Sequence, residues 1–171
     1  MASPHQSGFS LTELMVSLTV AGVLMGVGIP QLKRMTDRAA LSAAANELLG
    51  DLALARSEAV TRDVRVSVCT SSTGTNCTGG GWGVGRLVFT DAGAIGAIDG
   101  TDLILKVAGV PKRSVSAVGS GGMPANRVSY VSTGQASATG LVTYCYSGEI
   151  SRIVRINGTG SARVETGVLC P

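Results

Sequence analysis

From Leu14 to Ile29 the chain carries no charged side chain. An uninterrupted apolar run of that kind reads as a membrane-length helix. One carboxylate, Glu13, stands directly before it. An ionisable residue at the lip of such a segment is a functional candidate by default. Gly22, Gly26, Gly28 and Pro30 lie within or just after the run. Small residues let helices approach closely in lipid. Pro30 has no backbone donor and should kink or locally open the helix.

Beyond Pro30 the pattern changes from apolar on all faces to apolar on one. Leu41, Ala45, Leu48, Leu52, Ala55 and Ala59 recur at alternating steps of four and three, which makes a single stripe on a helix. Asp37, Arg38, Glu47, Asp51, Arg56 and Glu58 are expected on the other faces. Glu58 and Arg62 stand in the favourable i,i+4 order. The two patterns join into one long helix from Phe9 to about Arg62. Its first half should bury in membrane or fibre, its second half against a sheet.

After the helix the period drops to two. Val64, Val66 and Val68 alternate with Arg65 and Ser67, which predicts a half-buried strand ending at Cys69. Thr70 to Gly85 is a Gly/Ser/Thr loop holding Cys77 and Trp82, the latter expected to cap the core beneath it. Strands are predicted at Arg86–Thr90, Leu103–Val107, Arg127–Ser132, Leu141–Tyr146, Ser151–Asn157 and Ala162–Val168. A loop-rich connection, with a short strand near Val115, spans Pro111 to Ala125. One long helix followed by short strands and Gly-containing turns implies an α+β fold, the helix packed on antiparallel β-sheets. No internal repeat is visible.

Composition adds three constraints. The chain has 24 glycines among 171 residues and few aromatics, so its core must be built from Val, Leu, Ile and Ala. Net charge is +3, with the excess concentrated after Lys106, which hints at an anionic partner. Four cysteines, Cys69, Cys77, Cys145 and Cys170, include no Cys-x-x-Cys pair. The sole histidine is His5, so a zinc site is not expected and neither is any other cofactor. An even cysteine count beyond a membrane segment reads as disulfides in an oxidising compartment. Three pairings are possible. Cys69–Cys77, closing the short loop, with Cys145–Cys170, tying down the end of the chain, is the favoured one.

Enzymatic chemistry finds little support. No histidine outside the first eight residues stands ready to activate a Ser or Cys. Asp91, Asp99 and Asp102 fall in a turn-rich segment and read as turn formers. Thr78 to Gly85 is glycine-rich but has no Gly-Lys-Ser/Thr leading into a helix, so it is not a phosphate-binding loop.

The order of signals at the N-terminus is inverted relative to a secretory peptide, whose small-residue cleavage site follows the apolar region. Here Gly8 precedes it. Gly8-Phe9-Ser10-Leu11-Thr12-Glu13, the apolar helix and Pro30 together resemble the class III signal of type IV pilins and type II secretion pseudopilins. That resemblance implies cleavage after Gly8 by a prepilin peptidase and methylation of the new N-terminal residue, Phe9. It also implies that Glu13 meets the N-terminal ammonium of a neighbouring subunit and so sets axial register. The organisation implied is a leader at 1–8, a transmembrane or fibre-core half-helix at 9–32 and a periplasmic head at 33–171. The leader has neither Lys nor Arg, whereas leaders of that family usually do.

A narrower likeness follows the helix. Ala55-Arg56-Ser57-Glu58-Ala59, the valine strand to Cys69, Gly81-Trp82-Gly83-Val84 and Leu87-Val88-Phe89-Thr90-Asp91 are similar to the GspH/FimT group of minor pilins and pseudopilins. The likeness is good from residue 8 to about 91 and loose beyond. It implies a minor subunit in the inner membrane, later in a fibre at the cell surface, that works with other minor and major pilins to prime assembly at the tip. Two alternatives stay open. One is an H-type pseudopilin of type II secretion. The other is a DNA-binding minor pilin for natural transformation. Some FimT-like proteins carry a C-terminal Gly-Arg-x-Arg element, matched here only by Gly160-Ser161-Ala162-Arg163-Val164-Glu165. Arg152, Arg155 and Arg163 could contact phosphates, although Arg152 and Arg155, three apart on a strand, should point to opposite faces.

Overall fold

The computed structural model of the chain describes residues 9–111, 115–122 and 126–171, with the side chains of Val27 and Pro30 left aside. Gly8, and with it the expected cleavage point, lies outside the described residues. The chain divides into two compact units between Thr36 and Asp37.

Helix α1 spans Leu11–Arg62 and runs on through Pro30, so the proline does not end it. It starts two residues later than the sequence suggests because Ser10 caps it: the Glu13 amide donates to the Ser10 hydroxyl at 3.2 Å. It ends where Asp63 adopts a left-handed backbone, φ 53°. That reversal displaces the following strand, which begins at Val66 rather than Val64.

In the first unit the helix is apolar on every face. Leu14, Met15, Leu18, Val23, Leu24 and Ile29 are all exposed. The hydroxyls of Ser17 and Thr19 satisfy themselves on their own turn. Ser17 donates to the Glu13 carbonyl at 2.7 Å and Thr19 to the Met15 carbonyl at 2.8 Å. Such back-bonding hides hydroxyls where no water is at hand. This helix is long and apolar enough to cross a membrane.

The second unit is α+β. One antiparallel sheet has the order β3-β2-β1-β5 and the other β4-β6-β7-β8. Their ranges are β1 Val66–Thr70, β2 Arg86–Thr90, β3 Ile104–Ala108, β4 Ser116–Ser120, β5 Arg127–Tyr130, β6 Gly140–Cys145, β7 Ile150–Ile156 and β8 Ala162–Leu169. All six stripe residues of α1 are at most 1% exposed. They pack on Val66, Val68, Val88, Val128 and Tyr130 from one sheet and on Val142, Tyr144, Val154 and Ile156 from the other. Trp82 is fully buried in this same core. Burying a Leu or Val in this way contributes roughly 1.5–3 kcal/mol each.

Strand β1 departs from expectation in being buried on both faces. Its second face carries Cys69, which packs with Leu87, Phe89, Cys77 and Ile98, and Ser67, whose hydroxyl donates to the Asp91 carboxylate and lies 2.6 Å from the Ser129 hydroxyl. The loop after β1, through Cys77, and the loop after β2, through Asp91 and Ile98, therefore cover this face of the sheet. Gly85 is required there. A Cβ at that position would stand 2.7 Å from the Ser71 carbonyl oxygen and 2.8 Å from that of Ala108. Cys69 is bonded to Cys77, and Cys145 to Cys170, each with Cα atoms 5.6 Å apart.

Candidate functional site

Two regions hold the residues singled out in the sequence. The first is the start of α1. Phe9 is 75% exposed and precedes the cap. Ser10-x-x-Glu13 has the spacing of a capping box, in which the Glu side chain would return to the Ser10 amide. Only half of that box forms. The Glu13 amide is held by Ser10, while the Glu13 carboxylate has no partner among the described residues. The carboxylate is therefore left over from the local structure, at the edge of a bare apolar surface.

The second region is the outer face of the β4-β6-β7-β8 sheet. Register pairs Arg155 with Arg163 and Ile153 with Glu165 across β7 and β8. Arg155 donates to Glu165 through two nitrogens, at 3.0 and 3.1 Å. Arg163 donates to the same carboxylate at 2.6 Å. Hydrogen bonds from Arg155 and then Arg163 push the Glu165 carboxyl down to about 2. The same contact raises Arg155. Arg152 lies on the opposite face, aligned with Tyr144, and its Nε reaches the Ser42 hydroxyl of α1 at 3.3 Å. Two of the three arginines thus come together, around an acid that occupies both.

Asp91, Asp99 and Asp102 spend their carboxylates on loop amides. Asp91 accepts from Gly96, Asp99 from Ala94 and Thr101, and Asp102 from Ala92 and Asp99. Hydrogen bonds from Thr101, then Ala94, lower Asp99. Among the described residues no group of His, Cys, Asp or Glu could hold a metal ion.

One buried cluster was not expected. Asp51, placed by the pattern among solvated charges, is fully buried. Asp51 accepts from Arg86 Nε at 2.8 Å and from Lys106 Nζ at 2.6 Å. Glu47 lies 3.4 Å from a second Arg86 nitrogen. Burial opposes the Arg86 charge, but Tyr144, Asp51 and Glu47 outweigh it and hold the guanidinium above its ordinary range. Burial pushes the neighbouring Tyr144 phenol up to about 12. The signal was present in the sequence: Asp51 stands three after Leu48 and four before Ala55, inside the apolar stripe.

A bare apolar half-helix, continued into a head of two antiparallel sheets that pack on its second half, defines a pilin-type subunit. Residues 44–160 match the family described as "Type II transport protein GspH", and residues 3–29 match the "Prokaryotic N-terminal methylation motif". The chain belongs to the GspH family and is a minor pilin or pseudopilin of the type IV pilus/type II secretion kind. Its fold is similar to that of the type IV minor pilin FimU of Pseudomonas aeruginosa, at 21% identity and TM-score 0.60 over 77% of this chain and 92% of that one. It is also similar to the minor pseudopilin EpsH from the type 2 secretion system of Vibrio cholerae, at 13% identity and TM-score 0.53 over 74% and 96%. No curated protein sequence matches the chain.

Proposed function

We propose that the protein is made with a leader, residues 1–8, cut after Gly8 by a prepilin peptidase, and that Phe9 then becomes a methylated N-terminus. Before assembly the half-helix 9–32 spans the inner membrane and the head, 33–171, stands in the periplasm. On assembly the helix moves into a fibre, where Glu13 meets the N-terminal ammonium of a neighbouring pilin. The protein acts as a minor subunit that helps prime assembly at the tip.

The observation that carries this reading is the unspent Glu13 carboxylate at the edge of a half-helix whose large apolar side chains, among those described, are exposed. In lipid or in a fibre core such a carboxylate needs a cationic partner, and a neighbour's N-terminus is the one the motif supplies. Pro30, also singled out, would ease the fit of that half-helix among others.

The first test counts surface pili in a strain lacking the gene, alongside type II secretion. Loss of pili with normal secretion is expected. Normal pili with lost secretion would replace the reading with that of a secretion pseudopilin, which the name of the matched family favours. Normal levels of both would remove the assembly role. DNA uptake through Arg152, Arg155 and Arg163 gains no support from geometry, because Arg152 is on another face and Glu165 occupies the other two.

A further inference from the structure

The start of the head's helix, the turn between β6 and β7 and the end of the chain all meet at Glu149. Its amide closes that turn by donating to the Tyr146 carbonyl at 3.0 Å. Gly148, just before it, has φ 76°, a conformation that tight turns reserve for glycine. The Glu149 carbonyl accepts the Cys170 amide at 2.9 Å and so continues the β7–β8 ladder one step past the pair Ile150 and Leu169. The Glu149 carboxylate, only 6% exposed, accepts from Arg38 Nε at 2.7 Å.

Arg38 belongs to the first turn of α1 within the head, which begins at Asp37. Apolar packing starts only after it: among the described apolar side chains of the head, Leu41 is the first that is buried. One turn beyond Arg38, the Ser42 hydroxyl accepts from Arg152 Nε of β7 at 3.3 Å. Residues four apart share a helix face, so both contacts tie one face of α1 to the root of β7. An exposed ion pair counts for little. Here the carboxylate is buried, and a buried carboxylate that loses its donor is costly.

The disulfide is what holds Glu149 in place. β6 and β8 lie on either side of β7, and strands so placed are about 9–10 Å apart. The Cα atoms of Cys145 and Cys170 are nevertheless 5.6 Å apart. The end of β6 and the chain beyond β8 therefore converge across the root of β7, and Cys170 is the residue whose amide Glu149 accepts. A chain end without such a tether frays.

We infer that the Cys145–Cys170 disulfide is a redox-sensitive clasp on the first head turn of α1, acting on Arg38 through Glu149. Closing it takes two electrons and two protons from the paired thiols and gives them to a protein disulfide, which becomes a dithiol. The closed clasp fixes Glu149, and Glu149 holds Arg38. Opening by a dithiol reverses the exchange and loosens the turn at which the half-helix enters the head.

Such coupling is reciprocal: if the disulfide supports the Arg38–Glu149 pair, the pair supports the disulfide by the same factor. The test equilibrates the full chain, in zwitterionic lipid nanodiscs, with graded mixtures of reduced and oxidised dithiothreitol. Free thiols are then alkylated and located by mass spectrometry. Cys69–Cys77, on the other sheet, is the reference within the same molecule. Arg38→Gln and Glu149→Gln should each raise the reduction constant of Cys145–Cys170 about tenfold, as loss of a hydrogen bond to a charged group requires. The double variant should rise no further than either single one. Arg38→Lys should keep most of the wild-type value, and Cys69–Cys77 should not change in any variant. An unchanged constant at Cys145–Cys170 would overturn the clasp. An equal rise at both disulfides would overturn it too, because it would report general loosening of the head. Neither cleavage nor fibre assembly enters this measurement, so the clasp and the proposed function fail separately.

Discussion

Asp51 of α1 and Arg86 of β2 meet at 2.8 Å with both side chains wholly out of solvent. Lys106, from β3, reaches the other Asp51 oxygen at 2.6 Å. One carboxylate thus pins the helix to two adjacent strands. Removing one member strands a buried charge. Asp51→Ala should therefore cost about 3–5 kcal/mol in urea unfolding. Asp51→Leu combined with Arg86→Met should cost much less than the sum of the single changes. Additive losses would show that the cluster does not act as a unit.

Glu13→Ala should leave the precursor cleaved normally while the mature protein disappears from sheared fibres. Gly8 replaced by a bulky residue should instead leave an uncleaved precursor on a gel. Normal incorporation of the first variant would remove the register role of Glu13. Normal processing of the second would remove the leader assignment.

The Arg155–Glu165–Arg163 group gives a pH prediction. The folded Glu165 titrates near 2, below its ordinary value of 4.5. Its contribution is therefore present above the ordinary value and is lost as pH falls from there through about 2. NMR titration of the Glu165 side chain should find a midpoint near 2, rising in Arg155→Gln. A midpoint at the ordinary value would mean that the ion pairs are not held in solution.

Cys145 and Cys170 tie the end of β6 to the chain beyond β8, across a separation of 25 residues. Replacing both with serine should cost about 2–5 kcal/mol and lower the unfolding midpoint. An unchanged midpoint would show that β8 is held by its ladder alone.

Much of the architecture was legible in the sequence because its signals are periodic. The stripe from Leu41 to Ala59 and the alternation in a strand such as β6 each report one buried face, and tertiary packing agreed with them. The errors have local physical causes. The Ser10 cap and the left-handed Asp63 set helix ends that hydropathy does not mark. Ser67 looked solvated because it is polar, but a loop folded over it. Asp51 looked exposed because it is charged, although its spacing placed it in the core. The Glu165 pairing needed cross-strand register, which no single strand contains.

The order of the strands has a consequence for how the head is made. β4 joins the sheet of β6, β7 and β8, yet the next strand in the chain, β5, returns to the sheet of β1, β2 and β3. Neither sheet is a continuous stretch of chain. During synthesis the first sheet waits for residue 130 and the second has already committed a strand at residue 120. The two sheets should therefore lock together in a single cooperative event, with no half of the head able to stand alone.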